Sequence, residues 1–128
     1  MINSAKNCDL LIHEATVEDN LENFAKINFH STLSEAINVA KNCQSKFTIL
    51  THFSPRYGKL PFLSQIEDSD KIAVAFDHMK VSPEDFTRLP LMRNSLMTMY
   101  AKHLDSLRYK TTIHRNKDKM KFSLNVSY

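Results

Sequence analysis

Three of the six histidines stand at or beside the ends of apolar segments, and the clearest case is "KFTILTHFSPRYGK", where a β-branched run stops at His52 and gives way to a polar loop carrying Arg56, Tyr57 and Lys59. His13 in "LLIHEAT", followed by Glu14, and His30 in "FHSTLSEA" repeat the pattern. An imidazole at a strand end can close the strand by hydrogen bonding or ligate a metal, since the strand fixes the ring and the loop leaves room beside it. His30 and Ser31 come just before a helix start, where free backbone N–H groups and a partial positive charge suit an anion such as phosphate.

The elements that would position these residues follow an α/β order. Leu10 to Ile12 in "CDLLIHEAT" is a short apolar run that suits a buried parallel strand of three to five residues. Val17, Leu21, Phe24 and Ile27 recur at helical spacing, which predicts a short helix or helical turn. In "HSTLSEAINVAKNC", Thr32 followed three places later by Glu35 makes a capping box, and Leu33, Ala36, Ile37 and Ala40 form a buried stripe. "KFTILTH" and Ile72 to Phe76 are continuous apolar runs, as expected for strands covered on both faces, with a long loop between them. From Pro90 to Leu107, Leu91, Leu96, Tyr100, His103, Leu104 and Leu107 predict one amphipathic helix, and the segment after it has no strong period.

A chain of 128 residues with 42% hydrophobic residues is one ordinary domain able to bury a modest core. No apolar run approaches the roughly 20 residues that span a bilayer. Cys8 and Cys43 have no CxxC spacing, so free thiols are expected rather than a disulfide framework. Gly58 is the single glycine, against about nine at average usage, so turns must rest on other residues or the glycine-rich part lies elsewhere. The net charge of +3 hides a split: residues 1–87 carry 8 Lys and Arg against 12 Asp and Glu, whereas residues 88–128 carry 9 against 2. Such a basic arm is either a solvated tail or a source of sequence-independent attraction for phosphates.

Four motifs in order, "LLIHEAT", "HST", "LTHFSPRY" and "AFDHMKV", resemble the carboxyl-terminal part of tRNase Z, the zinc-dependent endonuclease family that trims the 3′ end of precursor tRNA, in its long eukaryotic form. The resemblance covers about residues 5 to 90 and implies an incomplete metallo-β-lactamase-like αββα sandwich, with residues 1–90 in that nuclease part and 91–128 a basic helix and tail. It implies His52 as the last ligand of a two-zinc site, His30 as general acid for the 3′ leaving oxygen, and Glu14 as the carboxylate that orients it. Ser31 and Thr32 can cap the helix or donate to a phosphate, Thr32 looking more like a cap, and Arg56 and Lys59 can neutralise RNA phosphate. His13 and His78 read as structural, and His103 and His114 lie outside the resemblance.

The rest of the family's pattern is missing from this chain. The HxHxDH cluster and the bridging aspartate of a GDT motif do not occur, and no His-x-His exists anywhere. One imidazole cannot hold two zinc ions. The expectation is therefore a last part of the enzyme, beginning just after the bridging aspartate and inactive alone, with precursor tRNA and the missing amino-terminal part as partners. No membrane partner is expected, and the family resemblance implies an intracellular place in nucleus, mitochondrion or both. The rival expectation is a non-enzymatic RNA-binding or regulatory remnant of that enzyme.

Overall fold

The computed structural model describes residues 2–58, 61, 63, 66, 70–110 and 112–113. Lys59, His114 and the basic tail beyond residue 113 lie outside the described residues, as do parts of the long loop. Three parallel strands, β1 (Leu10–Glu14), β2 (Phe47–Thr51) and β3 (Ile72–Val74), form a sheet in the order β1-β2-β3. β2 lies in the middle, and Phe47, Thr48, Ile49 and Leu50 are all buried, which is why the strand reads as largely apolar on both faces. Its register with β1 pairs Leu10 with Phe47 and Glu14 with Thr51, so Glu14 stands level with the last strand residue before His52.

The connection from β1 to β2 runs through two helices, α1 (Glu22–Ile27) and α2 (Leu33–Cys43). Thr32 and Glu35 form the expected capping box at the start of α2, and Leu33, Ala36, Ile37, Ala40 and Cys43 are its buried face. Because side chains alternate along a strand, β2 feeds two separate cores. Leu50 is fully buried in one, with Leu33, Ala36 and Ile37 of α2 and with Tyr57, Leu104 and Leu107. Phe47 and Ile49 enter the other with Ala73 and Leu89, and the Phe47 ring stacks on Phe86 at 4.6 Å between centroids.

That second face is only partly covered. Ile12 of β1 pairs with buried Ile49 yet is 62% exposed. β1 is an outer strand of this sheet among the described residues.

β1, with five residues, is within the expected length and takes in His13 and Glu14, which pair in register with Leu50 and Thr51 of β2. Two boundaries differ from the sequence reading. β3 stops at Val74, although Ala75 N–H still donates to the Leu50 carbonyl. The helix expected from Pro90 to Leu107 is two helical runs, α3 (Met92–Met99) and residues 101–110, broken at Tyr100. Leu96 and Met97 of the first run, and Tyr100 at the break, pack on the same core that buries Leu104 and Leu107 of the second, so apolar spacing alone does not separate one helix from two in series. His103, in the second run, bonds through Nε2 to the Tyr57 carbonyl at 2.7 Å and so fastens this helix to the loop that follows His52.

The glycine shortage has a direct structural answer. Asn7, Phe29, Gln44, His52 and His78 all take positive φ, between 52° and 65°, where glycine is the usual residue. Phe29 and Gln44 end α1 and α2 in this way: Phe29 N–H donates to Lys26 O and His30 N–H to Ala25 O, the paired bonds of a Schellman cap.

The two faces of the sheet should respond differently to truncation. Leu50→Ala should cost about 2 to 5 kcal/mol, whereas Ile12→Ala, on the open face, should stay within about 0.5 kcal/mol, both read from urea unfolding of the 128-residue chain.

Candidate functional site

Residues 15–17, just beyond β1, are held on both sides. Ala15 N–H donates to Thr51 O at 3.0 Å and Ser54 N–H to Thr16 O at 2.9 Å, which fixes the loop carrying His52. Thr16 N–H donates to Ser31 O at 3.1 Å and Leu33 N–H to Val17 O at 2.9 Å, which fixes the segment carrying His30. Two segments far apart in sequence are thereby brought to the carboxyl end of the sheet. Their imidazole rings lie 5.4 Å apart, centroid to centroid.

Glu14 sits beneath them with both oxygens engaged. Oε1 accepts the Ser31 N–H, and Oε2 accepts the Thr16 N–H at 2.9 Å and the Thr16 hydroxyl. Burial pushes this carboxyl upward, but the hydrogen bonds from Thr16 and Ser31 outweigh it and hold the acid below its ordinary range. Glu14, His30 and His52 offer ligand atoms within 4.8 Å of one another, so this group could bind a metal ion.

The residues singled out from sequence fall into distinct places. His52 is exposed at the end of β2, turned out of the strand by a φ of 59°. His30 is half-buried, its Nδ1 3.9 Å from Glu14 Oε2, so the carboxylate reaches it as a nearby charge rather than by a direct hydrogen bond. Thr32 is 1% exposed and its hydroxyl accepts the Glu35 N–H, which makes it a cap buried away from any substrate. Ser31 is half-buried, with its N–H spent on Glu14. Arg56 is exposed, its guanidinium 4.6 Å above the Phe24 ring and its Nε donating to Ser54 Oγ. His13 Nδ1 lies 2.6 Å from the Glu14 carbonyl, and exposed His78 lies in the turn after β3.

One residue escaped the sequence reading. Thr16, 6% exposed, contacts Glu14, His52 and His30 with a single hydroxyl. Its only signal in the sequence is its place in "HEAT", since a lone threonine after a strand has no chemistry of its own. Beside the site, a cleft of about 400 Å³ is lined by His52, Ser54, Pro55, Gly58, Ala75 and Asp77.

This parallel α/β layer, with its polar cluster at the strand ends, is part of a metallo-β-lactamase-like fold. It matches a long-form RNase Z from yeast with a TM-score of 0.62 and 37% identity, over 77% of this chain and 13% of that one. In sequence the chain is 40% identical over 124 residues to a mitochondrial ribonuclease Z of Drosophila melanogaster, covering 97% of this chain and 16% of the relative. It is 42% identical over 107 residues to zinc phosphodiesterase ELAC protein 2 of Homo sapiens, covering 84% of this chain and 13% of that protein. No family model matches the chain. The chain is related to the tRNase Z proteins of the metallo-β-lactamase superfamily, and it spans about a sixth or less of the length of these curated relatives.

Because its pKa is lowered in the folded state, Glu14 stabilises the fold fully above its ordinary value of 4.5, and that contribution is lost as pH falls through the lower folded value. Glu14→Gln should flatten the acid side of the stability profile below pH 4.5 and leave its shape at neutral pH unchanged, as read by denaturant titrations across pH.

Proposed function

We propose that this chain is a carboxyl-terminal piece of a zinc-dependent endoribonuclease that cleaves precursor tRNA after the discriminator nucleotide. The observation that carries the reading is the convergence of His30 and His52 over Glu14 at the strand ends, in a chain that is 40% identical to a ribonuclease Z over nearly its whole length. In this reading His52 holds zinc, His30 protonates the 3′ oxygen as the P–O bond breaks, and Glu14 supports His30 electrostatically. Ser31, Arg56 and Lys59 meet the phosphates, as do exposed cations of the second helical run such as Arg108 and Lys110.

The donor set fits one zinc ligand and not a closed centre. A structural zinc takes four ligands and a catalytic one usually three with water, whereas both Glu14 oxygens are already engaged by Thr16 and Ser31. Zinc in such a centre supplies Lewis-acid stabilisation of charge on phosphoryl oxygens and an acidified water. The remaining donors belong to the part of the enzyme that this chain does not cover, so the piece alone supplies a proton donor without a nucleophile. The name of the fly relative supports the mitochondrion as one compartment, and the family resemblance adds the nucleus.

In a complete enzyme carrying this segment, His52→Ala should lose metal, whereas His30→Ala should keep it and lose about 10² to 10⁴ in single-turnover cleavage. Metal content and cleavage of a precursor tRNA are measured side by side. Equal zinc loss in the two variants would remove the division of roles.

A further inference from the structure

We infer that Thr16 is a positioning residue that fixes the tautomer of His52, holding its proton on Nδ1 so that Nε2 is the ring atom left for a metal. The inference rests on the reading of His52 as a zinc ligand, but it is built on hydrogen-bond geometry alone.

The donors and acceptors of the cluster leave one consistent placement of its protons. A threonine hydroxyl has one hydrogen and two lone pairs. Glu14 receives N–H groups from both Thr16 and Ser31 on its two oxygens, which makes it an ionised acceptor with no proton to give. The close contact between Thr16 Oγ and Glu14 Oε2 must therefore contain the hydroxyl hydrogen, since two bare acceptors would repel at that separation. With its hydrogen committed, Thr16 Oγ can only accept. His52 Nδ1 stands 2.8 Å from it and His30 Nδ1 3.4 Å, so the two lone pairs face the two rings. The shorter contact requires Nδ1–H on His52, and the longer one places the same weaker demand on His30.

The consequence is directional. The carboxylate polarises the hydroxyl, the hydroxyl holds the imidazole N–H, and the opposite nitrogen becomes the better electron donor. A metal placed among Glu14, His30 and His52 through the Nδ1 atoms would have to displace Thr16 from the middle of the group. Thr16 itself is buried, 6% exposed, so water has little access to the hydroxyl at the centre of the cluster. Thr16 also cannot be swapped for valine without penalty to the tautomer, although the two side chains have nearly the same shape, because valine offers no lone pair to Nδ1.

The test uses the 128-residue chain labelled with 15N, with long-range proton–nitrogen correlation of the imidazole rings at a pH well above the imidazole range. His52 should show a protonated Nδ1 and an unprotonated Nε2 in the wild type and in Thr16→Ser, and a shift toward protonated Nε2 in Thr16→Val. In a complete enzyme carrying the segment, Thr16→Val should weaken zinc affinity by about 10- to 100-fold while Thr16→Ser stays close to wild type. A wild-type His52 protonated on Nε2 would overturn the inference by itself, even if Thr16→Val failed to fold. So would a folded Thr16→Val with unchanged tautomer and zinc affinity. If instead His52→Ala retained zinc while the tautomers behaved as expected, the metal role of His52 would fall and the hydrogen-bond assignment would stand.

Discussion

The site depends on the three residues that leave β1. A parallel strand pair runs out of ladder hydrogen bonds at its end, and residues 15–17 take up new partners on both sides as they emerge. Thr51 O and Ser54 N–H on one flank, and Ser31 O and Leu33 N–H on the other, are all bonded to this short stretch. Were it to shift by one residue, alternation would turn Thr16 away from the cluster and bring in Ala15 or Val17, neither of which has a polar side-chain atom. The separation of His30 and His52 is thus a property of backbone pairing before it is a property of side chains.

Upon that backbone a polar cluster is built whose members satisfy one another. Among the described residues no buried side-chain nitrogen or oxygen lacks a partner. Glu14 ties the β1 end to the start of the α2 segment through Ser31, and Thr16 passes its charge on toward the imidazoles. Two strained turns accept the cost of this arrangement. His52 leaves β2 in a left-handed conformation, and Phe29, 95% exposed, takes the same conformation so that His30 can enter the site. A non-glycine residue there costs about 1 to 2 kcal/mol, which the surrounding pairing must offset. Strain of this kind at a polar cluster is consistent with a chain that trades local stability for the placement of functional groups.

The larger features were legible because simple periodicities govern them. The largely apolar run of β2 announced a strand covered on both faces, and Thr32 with Glu35 announced the start of α2. His30 and His52 stand out at segment ends, their roles and that of Glu14 are what the resemblance of four motifs implies, and the three residues meet in space. Other features carry no such mark. Thr16 acts through a contact with residues 14 and 36 positions away, which no local pattern encodes. The break at Tyr100 was hidden because both helical runs present their apolar stripes to one core. The left-handed turns at Phe29, Gln44 and His52 went unread since the residues there are not the ones that usually announce such turns. Thr32 was readable as a cap, and its burial removes it from the surface that a substrate could reach.

In the proposed reading the cluster is a half-site, in which His52 ligates zinc while both Glu14 oxygens stay with Thr16 and Ser31. An equilibrium zinc titration of the purified 128-residue chain, in competition with a chromophoric chelator, tests this most directly. The account predicts only weak binding, far short of the roughly 10 to 16 kcal/mol that closed zinc sites provide, and little change in it when Glu14 is replaced by Gln. Tight, stoichiometric binding that is lost in both Glu14→Gln and His30→Ala would contradict it, because the cluster would then be a metal centre in its own right.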